Sequence, residues 1–85
     1  MLLGARPNPF RLGSVLEFAL PTRGHASLRI FDVRGAVVAT LFDGVAEGQR
    51  RYQFPFDASA LPAGVYFQQL KAAGVSVSRK MVLLR

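Results

Sequence analysis

The chain has 85 residues, 51% of them hydrophobic, with seven Phe and two Tyr. This is enough to build the core of one small domain, and it excludes a second domain and disorder of the chain as a whole. With no cysteine, disulfides, zinc–thiolate sites and cysteine nucleophiles are excluded. Eleven Lys and Arg against five Asp and Glu give a net charge of +6. The cations are scattered, with only Arg50-Arg51 and Arg79-Lys80 adjacent. Specific nucleic-acid binding is therefore not expected, since it needs several cations converging on one groove.

In chain order, residues 1–7 contain Gly4 and run into Pro7-Asn8-Pro9. They read as a linker or loosely held lead-in strand that would suit a join to an upstream domain, with a single domain over residues 8–85. Met1-Leu2-Leu3-Gly4-Ala5 has neither the basic start nor the length of a secretory signal. Turn-forming residues then punctuate the chain at Pro21–Gly24, Asp32–Gly35, Asp43-Gly44, Ala63-Gly64 and Ala73-Gly74. Between them lie runs rich in branched and aromatic side chains: residues 14–20, 26–33, 36–42, 50–56, 65–72 and 75–84.

These six runs read as strands. Leu16, Phe18 and Leu20 share one face of the first, with Glu17 on the other. In the second, Leu28 and Ile30 point inward, while Phe31 falls outside and needs a neighbour. Tyr52, Phe54 and Phe56 line one face of the fourth, and Pro55 predicts an edge position because it has no N–H for a ladder. Asp32-Val33-Arg34-Gly35 has the type I turn preference and predicts a hairpin, as does Lys71-Ala72-Ala73-Gly74-Val75. The expected fold is all-β, an Ig-like antiparallel β-sandwich of six or seven short strands, with an OB-like or SH3-like barrel as the alternative.

Little in the chain points to chemistry. The single histidine, His25, sits beside Gly24 in a predicted turn, and Glu17, Asp32, Asp43, Glu47 and Asp57 are dispersed. No serine stands in a strained nucleophile elbow, and no glycine loop is arranged to cradle phosphate. No catalytic residue, metal ligand or cofactor is expected. No apolar run approaches the roughly 20 residues of a membrane span. Bulky neighbours such as Val15-Leu16, Ile30-Phe31, Tyr66-Phe67 and Met81-Val82-Leu83-Leu84 nevertheless place apolar groups on both faces of their strands. Either loops cover these groups or they form a docking or self-association patch. A last strand ending in Met81–Leu84 would be open to strand addition by a partner, or to exchange into a homodimer.

Several pieces occur together in order. They are Asn8-Pro9-Phe10, Leu20-Pro21, Ser27–Gly35, Val38–Leu41, Leu61-Pro62-Ala63-Gly64-Val65-Tyr66-Phe67 and the closing Arg79-Lys80-Met81-Val82-Leu83-Leu84-Arg85. This arrangement, covering residues 6–85, closely resembles the type A carboxy-terminal sorting domain of type IX secretion substrates. It is similar, more distantly, to the Ig-like domain of flagellar hook-capping proteins. The resemblance implies a non-catalytic signal at the end of a larger cargo protein of a Gram-negative bacterium. That cargo would reach the periplasm by its own amino-terminal signal, pass the outer-membrane translocon, and be cut and attached at the cell surface by a sortase.

Carried onto this sequence, Pro62, Gly64 and Tyr66 match the family's P-x-G-x-Y motif, with Leu61 before it. Lys80, Met81, Val82, Leu83, Leu84 and Arg85 match the terminal basic and apolar motif and are the expected recognition segment. Asn8, Pro9, Asp32, Gly35, Leu61, Pro62, Gly64 and Tyr66 are expected to be structural. Phe54-Pro55-Phe56-Asp57-Ala58 departs from the Trp-Asp-Gly stretch of many members by lacking the glycine. The other functions weighed are a carbohydrate- or surface-binding accessory sandwich, which needs an exposed aromatic platform, and a hook-cap-like assembly domain.

Overall fold

The computed structural model describes all residues from Met1 to Arg85. Seven strands and no helix are present: β1 (Leu2–Arg6), β2 (Gly13–Ala19), β3 (Gly24–Phe31), β4 (Val37–Ala46), β5 (Tyr52–Asp57), β6 (Gly64–Ala72) and β7 (Val75–Leu83). They form two antiparallel sheets, one in the order β1-β2-β5 and the other β4-β3-β6-β7. The architecture is that of an Ig-like β-sandwich, and sixteen buried apolar residues make its core.

The alternating patterns act as expected. Leu16, Phe18, Leu20, Leu28 and Ile30 are all buried. The Phe18 ring stacks on Tyr52 at 5.1 Å and on Phe54 at 5.9 Å, and Phe42 meets it edge-on at 5.5 Å. Such aromatic pairs add about 0.5–1.5 kcal/mol each beyond the area they bury. Phe31 finds its neighbour in Phe67, directly across the β3–β6 ladder. Pro55 lies on β5, an edge of the three-stranded sheet. Glu17 is covered by cations, with Arg51 Nη1 at 3.0 Å from one carboxylate oxygen and Arg6 Nη2 at 3.8 Å from the other.

Of the two readings of the lead-in segment, the strand is the one found: residues 2–6 form β1, paired with β2 from Leu2↔Ala19 to Arg6↔Val15, and Leu3 enters the core. Two local expectations change. Asp43-Gly44 is not a turn: β3 starts at Gly24 and offers partners this far, so Asp43 pairs with Ser27, Gly44 with Ala26, and β4 runs on to Ala46. His25 is likewise in β3 and not in a turn.

Much of the apolar excess is taken up by two irregularities in β4. The β3–β4 register passes over Leu41, between Phe42 and Thr40, and over Val38, between Ala39 and Val37. An extra residue in one strand lets consecutive side chains face the same way. Leu41 with Phe42, and Val38 with Ala39, accordingly all pack against the core.

Candidate functional site at the terminal pole

The sandwich has two poles. One gathers the ends Arg6↔Val15, Gly13↔Asp57, Phe31↔Val37 and Gly64↔Leu83; the other gathers Leu2↔Ala19, Gly24↔Ala46 and Ala72↔Val75. The residues singled out from sequence converge on the first.

Asp32 and Gly35 build the β3–β4 turn there. The Gly35 N–H donates to the Asp32 carbonyl at 3.0 Å. The Asp32 carboxylate accepts the N–H groups of Arg34 at 2.9 Å and Ala36 at 3.0 Å. Gly35 has φ +86°, a conformation that favours glycine. Across an open cleft of about 300 Å³, lined on this side by Asp32, Val33 and Arg34, lies the 61–66 segment. Gly64 enters β6 at φ +149°, again within glycine's range. Tyr66 is buried and its hydroxyl donates to the Pro62 carbonyl at 2.6 Å, closing the loop upon the strand it feeds. Half-buried Leu61 donates its N–H to the Ala58 carbonyl at 3.0 Å.

The terminal strand alternates. Met81 and Leu83 are buried in the core. Lys80 is exposed on the outer face opposite Phe67, and Val82 is half-buried opposite Val65. Leu84 is 39% exposed. Arg85 turns back so that its guanidinium donates to the Leu61 carbonyl and, at 3.4 Å, to that of Ala58.

The outer edge of this segment is closed, contrary to the expectation of an open apolar edge. The Asn8 side chain behaves like a strand residue: Nδ2 donates to the Lys80 carbonyl at 2.9 Å, and Oδ1 accepts the Val82 N–H at 3.1 Å. Two residues on, the Phe10 N–H donates to the Val82 carbonyl at 2.9 Å, and the Phe10 carbonyl accepts the Leu84 N–H at 2.8 Å. The Phe10 ring is 1% exposed and packs on Phe56 with centroids 6.2 Å apart. Pro9 links the two capping residues. Phe10 is the residue of this site that sequence reasoning passed over. Its signal was a large apolar side chain directly after a proline turn and outside any strand run.

Elsewhere the polar groups are engaged locally. His25 Nε2 lies 3.0 Å from Asp43 Oδ1, with Arg29 Nη2 3.6 Å from the other oxygen, and Arg23 pairs with Glu47 at 3.0 Å. Asp57 Oδ1 accepts the Ser59 N–H at 2.9 Å, which holds its carboxyl below the usual aspartate value. No three His, Asp or Glu side chains stand together as metal ligands. Phe10, Phe18, Phe56 and Tyr66 are buried, and Phe42, Tyr52 and Phe54 pack around Phe18. Of the nine aromatic side chains, only Phe31 and Phe67 remain on the outer face.

The fold and the gathering of its motifs at one pole define a small Ig-like β-sandwich domain. Residues 6–84 match the Secretion system C-terminal sorting domain, and the chain belongs to that family, the sorting signal of type IX secretion. No curated protein matches the chain. Membership makes it a C-terminal sorting signal that serves a cargo protein and the type IX secretion machinery. It implies export to the cell surface, or secretion, in a Gram-negative bacterium.

Proposed function

We propose that the domain carries an upstream cargo from the periplasm through the outer-membrane type IX translocon and is recognised as a folded sandwich at its terminal pole. The observation that carries this reading is the closure of Lys80–Leu84 by Asn8 and Phe10. It fixes the terminal strand in the fold, so a partner meets outward groups on an ordered scaffold. Those groups are Lys80, Val82, Leu84 and Arg85, while Met81 and Leu83 support them from the core. Asn8, Pro9, Asp32, Gly35, Leu61, Pro62, Gly64 and Tyr66 hold the pole in shape and act on sorting through folding. A surface sortase then removes the domain and attaches the cargo to the cell surface. The domain itself performs no chemistry in this reading.

Removal of Lys80–Arg85 is a poor test, because it takes buried Met81 and Leu83 out of the core. The better one is a reporter with an amino-terminal export signal, fused ahead of residues 1–85, in a host with type IX secretion. Its partner is the double variant Lys80→Ala/Arg85→Ala, with folding checked by circular dichroism. The parent reaches the medium or surface, and the folded double variant accumulates in the periplasm. Retention of the parent in the periplasm would overturn the sorting reading. Full export of the variant would overturn the role of its two cations.

A further inference from the structure

A sandwich of two open sheets has four edge strands, and here three of them carry a device against pairing with foreign chains. β1 has only five residues, β5 contains Pro55, and β4 is interrupted where its register passes over Leu41 and Val38. Short edges, prolines and bulges are the usual means of blocking edge-to-edge association. The fourth edge, β7, is divided. Its end is capped by Asn8 and Phe10, but residues 75–79 have neither cap, proline nor bulge, and pair with β6 in unbroken register.

The backbone groups on that open half can be identified. The Lys80 carbonyl and both backbone groups of Val82 meet the cap, so even-numbered positions of β7 point away from β6. By the strand's alternation, the N–H and C=O of Ser76 and Ser78 face the same free edge. Their side chains are small and leave room for an approaching backbone. Only the Ser78 carbonyl has a contact, from the exposed Arg79 side chain at 3.2 Å.

Charge selects the occupant. β6 and β7 carry Lys71, Arg79 and Lys80 and no carboxylate. Glu17, Asp43 and Glu47 are already paired with Arg51, Arg29 and Arg23, and the carboxylates of Asp32 and Asp57 accept turn N–H groups. A second copy of the chain on this edge would bring two sets of Lys71, Arg79 and Lys80 onto one sheet, which like-charge repulsion opposes. An acidic strand would be drawn to it. We propose that residues 75–79 of β7 form a docking site for an extended acidic segment of a partner protein. That segment adds as a fifth strand to the four-stranded sheet, bonding to Ser76 and Ser78 and laying its carboxylates on the outer face, which Lys71 and Lys80 share.

The site lies away from the terminal pole, and its test reads binding, so it stands or falls separately from export. The 85-residue chain, isotopically labelled, is titrated with the blocked peptide acetyl-Thr-Glu-Val-Glu-Thr-Glu-Thr-amide and, separately, with the same peptide carrying Lys for each Glu. The acidic peptide is expected to bind saturably, to shift the Ser76 and Ser78 amides most, and to bind at least tenfold more tightly than the lysine peptide. Ser78→Pro removes an edge donor that β6 does not use and is expected to abolish binding with the circular dichroism of the parent. Lys71→Glu/Lys80→Glu keeps the backbone, reverses the charge of the outer face and should weaken binding at least tenfold. The proposal is overturned if the acidic peptide does not bind, if the lysine peptide binds equally well, or if the shifts fall on β4 instead. Concentration-dependent self-association through Ser76 and Ser78 would also overturn it, in favour of a second copy.

Discussion

From Lys80 to Leu83, β7 is covered on its outer edge by Asn8 and Phe10, whereas from Val75 to Arg79 the same edge carries two serines facing solvent. Both halves pair with β6 in one uninterrupted register. The difference comes from residues about seventy positions away in the chain, which supply one side-chain amide and one backbone position to the first half and nothing to the second. One edge strand thus holds two properties at once: a sealed end that is part of the fold, and an open end whose outward backbone groups pair with no strand. The sealed end also brings Met81 and Leu83 into the core, so the segment expected to be read by secretion machinery is the one most firmly built in.

Phe10→Ala is expected to damage the sealed half most severely. It empties a buried site against Phe56 and loosens the backbone bridge to Val82 and Leu84, at a cost of about 3–5 kcal/mol. For a domain this small, that is a large part of a total stability of about 5–15 kcal/mol, and urea unfolding would register it as a collapse of the midpoint. Asn8→Ala should be milder. It removes two hydrogen bonds from β7 at partly solvated positions, about 1–2 kcal/mol together, and makes the sealed half resemble the open one. Its signature is loss of hydrogen-exchange protection at the Val82 amide with most of the core intact.

A substitution at Gln68 is expected to act in the opposite direction. This residue lies across the β6–β7 ladder from Arg79, is 1% exposed, and its Oε1 has no hydrogen-bond partner. Gln68→Met, similar in shape and without the orphaned acceptor, is expected to raise stability by about 1 kcal/mol in urea unfolding. The smallest effect belongs to Asp57, whose carboxyl is held below its ordinary value by the Ser59 N–H and stands in open solvent. A lowered folded-state pKa means the contribution is complete above the unfolded aspartate value, about 3.9, and fades as pH falls through the lower folded value. Asp57→Asn should therefore be slightly less stable than the parent at neutral pH and converge with it in acid, as thermal melts across that range would show.

The core faces were legible because they depend on local alternation, as in Leu16, Phe18 and Leu20, or on one residue's chemistry, as at Pro55. The Asp32–Gly35 and Ala73-Gly74 turns were legible for the same reason. β1 was legible only as one of two alternatives, linker or lead-in strand, because Gly4, Ala5 and the following prolines give little strand signal and pairing with β2 defines it. Asp43-Gly44 misled because its turn propensity is overridden by the partners β3 provides. The bulges at Leu41 and Val38, which turn neighbouring apolar residues to one face, leave no local mark in the sequence. At the terminal pole, the motif residues could be named from sequence, but their meeting could not. The bond between Asn8 and Val82 spans 74 positions, and Phe10 shows its purpose only once β7 lies beside it.

Amide hydrogen exchange along β7 tests the divided edge most directly. The Val82 and Leu84 amides are expected to be protected nearly as well as those of the central strand β3, while the Ser76 and Ser78 amides exchange almost as fast as in an unstructured peptide. Exchange of Val82 and Leu84 as rapid as that of the two serines would contradict this expectation, since the terminal segment would then be free of the cap on which the proposed recognition of a folded pole depends.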